Sequence, residues 1–228
     1  MSVLAQAPVR KKMNFVLKAP EPLVLENIRW STYQALLRDL GDRPIHLTYA
    51  EGRLEITTLS PQHEILKTLF GRFIEQLTLE LDIPIKSLGS TTIARKELKR
   101  GLEPDECYYI GRESLVRGKM EFNFKKDPPP DLAIEVDVSR SSVSRQRVYA
   151  ALGVPEMWRY DGELHVLHLQ ANGEYVERER SLSFPFLPID RMEAFIHQIT
   201  ELEENALLRK FRDWVQKEVF PKYKARKR

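Results

Sequence analysis

Hydrophobic positions along the chain switch between helical and strand periods. Leu36, Leu37 and Leu40 form a short apolar stripe over residues 31–40, with Ser31 placed to cap it and Gly41 to end it, which predicts a helix. Residues 45–49 and 53–57 alternate around Glu51-Gly52, which predicts a hairpin. The clearest helix comes next. Ser60 fits an N-cap, and Pro61 fits the first helical position, where its missing N–H leaves no bond unmade. Ile65, Leu66, Leu69, Phe70, Phe73, Ile74, Leu77 and Leu81 then recur on one face. An extended segment is predicted over residues 83–88, continuing over 90–93.

In the second half, residues 106–110 read as a short strand after Glu103-Pro104-Asp105, and 112–127 as a charged surface helix or loop. After three prolines, residues 132–138 form a nearly continuous apolar run interrupted by Glu135 and Asp137. Such a run suits a strand buried on both faces in the middle of an α/β sheet. A helix over 142–152 ends at Gly153, a natural C′ residue. Strands over 157–160 and 163–169 flank the turn Asp161-Gly162, and Asn172-Gly173 makes a second turn into Tyr175-Val176. Helical patterns at 190–200 and 206–219 close the chain. The organisation expected is an N-terminal arm (1–22), a main domain (23–190), C-terminal helices (191–220) and a basic tail (221–228).

Composition narrows the class. A chain of 228 residues with 42% hydrophobic and 30% charged side chains can bury a sizeable core, which excludes collagen-like, low-complexity and fully disordered chains. No apolar run approaches the ~20 residues that cross a bilayer, so no membrane partner is expected. The start, MSVLAQAPVRKK, lacks a secretory pattern. Cys107, the single cysteine, excludes an internal disulfide and a Cys-rich zinc site, and reads as an inert buried thiol. A cytoplasmic setting is the expectation. The formal net charge of +3 is local: without the five basic side chains of residues 221–228 it becomes −2. Lys222, Lys224 and Arg226 of this tail are candidate nucleic-acid contacts, and a solvated end is the other reading.

Candidate chemistry lies with the acids. Buried carboxylates are costly unless paired or bound to metal. Glu135 and Asp137 are two apart and would share one face of their strand. Neighbouring acids disfavour each other's ionisation, which a divalent cation relieves. Asp105 and Asp131 each follow a proline and open a strand. For Asp131 the preferred reading is a turn cap. For Asp137 a strand-end or ion-pair role stands beside a metal role. Asp105 with Glu135 is a candidate site for Mg²⁺ or Mn²⁺, whose preferred ligands are oxygens. His63, at the start of the long helix, reads equally as a residue orienting a phosphate or water and as an ordinary polar residue near a helix N-terminus. Trp158, Tyr149, Met157 and Phe73 read as core.

Pro-Pro-Asp-Leu-Ala-Ile-Glu-Val (129–136) and Tyr-Ala-Ala-Leu-Gly-Val-Pro-Glu-Met-Trp-Arg-Tyr-Asp (149–161) resemble the Uma2 family of restriction-type endonucleases, within the PD-(D/E)XK nuclease superfamily. Residues 51–56, 59–64, 89–92 and 101–105 agree with that pattern, and the resemblance spans about residues 30–180. It implies a restriction-endonuclease-like mixed central β-sheet flanked by α-helices. It also implies Asp105 and Glu135 as metal ligands, with the Val136 carbonyl as a possible third. The superfamily's lysine position holds Asp137 here, and the alternative position, four residues before Tyr149, holds Arg145. Arginine stabilises developing negative charge but is too basic for a general base. The expected function is metal-dependent hydrolysis of DNA phosphodiester bonds, with a homodimer suited to cutting both strands. The alternative is a weakened nuclease fold that binds nucleic acid or a protein partner.

Overall fold

The computed structural model describes residues 21–41, 43–137 and 144–226. Most of the expected arm, Val138 of the expected strand, the start of the helix predicted from residue 142, and the last two tail residues therefore lie outside the described residues. In chain order the elements are β1 (Leu23–Leu25), α1 (Trp30–Leu40), β2 (Ile45–Ala50), β3 (Arg53–Thr58), α2 (Pro61–Glu80), β4 (Lys86–Ser87), β5 (Ile93–Arg95), β6 (Arg100–Leu102), β7 (Glu106–Tyr109), α3 (Glu113–Val116), β8 (Leu132–Val136), α4 (Arg145–Leu152), β9 (Glu156–Tyr160), β10 (Leu164–Leu169), β11 (Tyr175–Arg178), α5 (Ile189–Ile196), α6 (Glu204–Trp214) and α7 (Phe220–Arg226). A 3₁₀ turn (Lys96–Leu98) joins β5 to β6, and a π-helical turn (Val215–Val219) joins α6 to α7.

The strands form two sheets, ordered β1-β3-β2-β6-β5 and β11-β10-β9-β8-β7-β4. All pairs are antiparallel except β8 with β9, which are joined through α4 as a βαβ unit. The six-stranded sheet is therefore mixed, and the class is α/β as expected. All five residues of β8 are buried, as its apolar run requires of a strand covered on both faces. On one side α2 packs Leu66, Leu69, Phe70, Phe73, Ile74 and Leu77 into a core shared with Trp158, Tyr160 and the C-terminal helices. Each such side chain contributes about 1.5–3 kcal/mol by leaving water. On the other side α4 lays Val148, Tyr149 and Leu152 against Cys107, Ala133 and Met157.

Local chemistry explains the boundaries. The Ser60 hydroxyl accepts the His63 backbone N–H at 3.2 Å and caps α2. Glu51 and Gly52 both adopt positive φ, 49° and 97°, which a tight two-residue hairpin needs. Gly153 ends α4 at φ 79°, and the Val154 N–H returns to the Tyr149 carbonyl at 3.2 Å. Glu156 is fully buried yet satisfied: it accepts from Trp158 Nε1 (2.8 Å) and from the backbone of Leu182 and Ser183. The Gly-Val-Pro-Glu-x-Trp element thus ties residues 181–184 to the sheet.

Several expectations are corrected. Arg29, not Ser31, is the N-cap residue of α1, and Ser31 sits inside its first turn. Ile65 is 55% exposed, because it lies at the edge of the α2 stripe. The extended segment over 83–93 breaks at Gly89 (φ 54°) before resuming at Ile93, and β6, too short to show a period, is additional. The strand at 132–138 ends at Val136, so Asp137 lies just beyond it, its N–H bonded to the Tyr160 carbonyl at 2.8 Å. The final helices are Ile189–Ile196 and Glu204–Trp214, and residues 221–226 are helical rather than a loose tail. Among the described residues no helix is long and apolar enough to cross a membrane.

Candidate active site

Two carboxylates meet where β7 and β8 run side by side. Their register pairs Glu106 with Ile134 and Cys107 with Ala133, so the next pair outward sets Asp105 opposite Glu135. Cross-strand neighbours have Cβ atoms about 4.5–5.5 Å apart on one face. Both side chains are buried, at 2% and 6% exposure, so neither charge is relieved by bulk water.

Each acid is answered by its own set of donors. Asp105 Oδ2 accepts the Val136 backbone N–H at 2.6 Å and lies 3.0 Å from His63 Nε2, while Oδ1 lies 3.3 Å from His46 Nδ1. The other ring nitrogen of His63 meets Glu64 at 2.9 Å, so this imidazole bridges two carboxylates. Glu135 is held by Arg145 in a fork, with Nε at 2.8 Å and one terminal nitrogen at 2.7 Å, and it accepts the Tyr149 hydroxyl. The rest of the guanidinium donates to Thr48 Oγ1 (2.7 Å) and to the Glu103 carbonyl (2.6 Å). Arg145 therefore joins β8, β2 and the segment before β7. It sits in the first turn of α4, capped by Ser144, and the (i, i+4) spacing puts Tyr149 on the same face.

These contacts set the charges. Burial pushes the Asp105 carboxyl up, but hydrogen bonds and charges from His46 and His63 outweigh it and hold its pKa well below the carboxylate range. Burial and the Asp105 charge raise Glu135, against the pull of Arg145. Burial lowers the His63 imidazole, yet Asp105 and Glu64 hold it above the ordinary histidine value. Burial also works against the charged Arg145, but Glu135 keeps it firmly protonated. Tyr149 is pushed far above the tyrosine range by burial and Glu135, so it acts as a donor.

The donor set suits a hard divalent cation. Mg²⁺ is commonly held by one or two carboxylates with waters completing the shell. Asp105 and Glu135 supply such a pair; burial first, and the Asp105 charge after it, raise the Glu135 pKa, and a cation would offset both. Both Glu135 oxygens already accept hydrogen bonds from Arg145, so a cation would bind through the lone pairs that the fork leaves open. Among the described residues no group of three or more His, Cys, Asp or Glu is arranged to hold a metal ion.

Of the residues singled out from the sequence, Asp105, Glu135, Arg145 and His63 come together. Asp131 caps the backbone of Ile110 and Arg112 at 2.7 and 2.9 Å, as its position after proline suggested. Lys222, Lys224 and Arg226 lie on α7, an element apart from those that carry the acids. Cys107 is buried, and burial pushes its thiol far up. Three participants escaped the sequence reading. His46 and Thr48 alternate on one face of β2, a weak signal, and Tyr149 read simply as core. Only its spacing from Arg145 marked it.

The Uma2 family, described as "Putative restriction endonuclease", matches residues 30–192. That span holds every residue of the constellation just described. No curated protein matches the chain.

Proposed function

From the premise that this chain belongs to the Uma2 family, we propose that it hydrolyses DNA phosphodiester bonds at the Asp105–Glu135 pair. The observation that carries this reading is a desolvated cross-strand carboxylate pair with a fixed cation, Arg145, on one member. A bound Mg²⁺ or Mn²⁺ would supply charge stabilisation and a more acidic water. Asp105 and Glu135 would hold it. Arg145 places a permanent positive charge where a phosphoryl oxygen gains negative charge, and it remains protonated throughout. His63, fixed between Asp105 and Glu64, orients the first acid. Asp137, just past β8, lines the exit of the strand. Lys222, Lys224 and Arg226 on α7 add sequence-independent phosphate contacts. A homodimer would bring two such sites to the two strands of a duplex.

The test is cleavage of plasmid and single-stranded DNA with Mg²⁺ or Mn²⁺ by the parent and by the Asp105→Asn and Glu135→Gln proteins. Metal-dependent cutting lost in both variants is expected. Cutting that survives both substitutions refutes the assignment. A second reading has one observation in its favour: Arg145 stands where a lysine is usual and occupies both Glu135 oxygens. Under it the protein binds nucleic acid or a protein partner without cutting, and a folded parent inert on every DNA substrate supports it.

A further inference from the structure

A groove of about 490 Å³, within the ordinary range for ligand sites, opens between the β4–β5 segment and residues 119–127. Leu88, Thr92 and Ala94 line one wall, and Phe122, Asn123 and Phe124 the other. Phe122 lies nearly parallel to both neighbouring rings: 14° from Tyr109 at 5.7 Å and 17° from Phe124 at 6.0 Å. Met120 stands 91% exposed at the rim. Lys96 and Lys99 follow β5, and Lys125 and Lys126 follow Phe124, so exposed lysines adjoin both lining segments in sequence. Among the described residues none of the four has an ion-pair partner, whereas the nearby acids Glu97 and Asp127 are engaged by Arg95 and Lys119. Glu121 is the remaining acid of the rim.

Parallel aromatic rings with polar groups beside them and exposed lysines on the adjoining segments match the chemistry of an unpaired nucleic-acid strand. Every base has a π-face that can stack, and every linkage carries a negative charge. The groove is also aligned with the acids. Asp105, Cys107 and Tyr109 alternate along one face of the β7 segment, so the strand that carries the first acid also backs the aromatic stack. Four residues at about 3.3 Å each put Tyr109 roughly 13 Å from Asp105, which is about four stacked nucleotides at ~3.4 Å each. Leu88 and Phe124 pack on the same buried cluster as Tyr149, whose hydroxyl reaches Glu135.

We infer that this groove binds a single-stranded segment of the nucleic acid, with bases on Phe122 and Phe124 and phosphates on Lys96, Lys99, Lys125 and Lys126. The inference rests on the nuclease reading and adds a substrate class to it: strands with unpaired bases.

The experiment is fluorescence anisotropy with a labelled oligo(dT) and its duplex with oligo(dA), in chelator so that nothing is cut. The wild type is compared with Lys125→Gln/Lys126→Gln, Phe122→Ala and the milder Phe122→Leu, each checked for a native melt. Tighter binding to the single strand is expected. Loss of two lysines should flatten the slope of log K against log salt by about 1.4. Loss of the Phe122 ring should weaken single-strand binding by about 5- to 150-fold, the range for one base stack. Wild-type affinity in all the folded variants overturns the inference and leaves the groove to a protein partner. Preference for the duplex, or no binding by the wild type, overturns it equally. The nuclease reading is judged separately, since cutting lost in Asp105→Asn and Glu135→Gln stands whatever the groove variants do.

Discussion

Replacing Arg145 by methionine tests the arrangement of the site more directly than loss of activity can. The substitution keeps much of the side chain's length and removes its charge. Arg145 and Glu135 have side chains 17% and 8% exposed, which places them with buried pairs rather than surface ones. Removing one partner of a buried pair costs about 3–5 kcal/mol, because the other charge stays behind without compensation. Here the Thr48 hydroxyl and Glu103 carbonyl lose a donor as well. For a chain of this size each kcal/mol lowers the melting temperature by about 2–4 °C, so a fall of roughly 6–20 °C is expected. The assay is urea unfolding followed by tryptophan fluorescence in chelator. Repeating it on a Glu135→Gln background completes a double-mutant cycle, since glutamine keeps an acceptor for Tyr149 but leaves no charge to strand. A coupling on the order of 2 kcal/mol is expected. A loss within about 1 kcal/mol, the value of an exposed pair, or a coupling near zero would refute the buried fork.

Three further outcomes follow from the fold. Ser60→Ala removes the cap on the helix that carries His63 and should cost about 1 kcal/mol, visible as a lower urea midpoint with an unchanged slope. Gly101→Ala should cost about 1–3 kcal/mol by overpacking, because the new Cβ would stand 2.6 Å from the Tyr33 hydroxyl and 3.0 Å from Ala94 Cβ; a neutral result in thermal melts would show that Tyr33 yields easily. Glu106 has its pKa raised by burial, so the native state binds the proton more readily than the unfolded chain, and stability falls as pH rises through the native pKa. Glu106→Gln should therefore be more stable than the parent at pH 7 and equal to it below the unfolded value; an equal advantage at both pH values would contradict the sign.

Much of the architecture was legible because it rests on local rules. The α2 stripe behind Ser60-Pro61, the β8 run, the Asp161-Gly162 hairpin and the Gly153 stop each obey period, cap or turn chemistry that a few neighbouring residues suffice to express. Ile65 at the edge of its stripe, the short β6 and the helical continuation to Arg226 were missed. Their states depend on what packs against them, which no local window contains.

The candidate site divides along the same line. The sequence by itself determined which acids were anomalous: a glutamate inside an apolar run and an aspartate after a proline, two residue types that burial penalises. It also determined that an arginine stands four residues before Tyr149. Only the tertiary structure decided that Asp105 lies opposite Glu135, that His46 and His63 share the first acid, and that Arg145 locks the second to Thr48 and Glu103. Those relations join residues 30 to 97 positions apart, and sheet register and the α4 crossover, not chain proximity, bring them together.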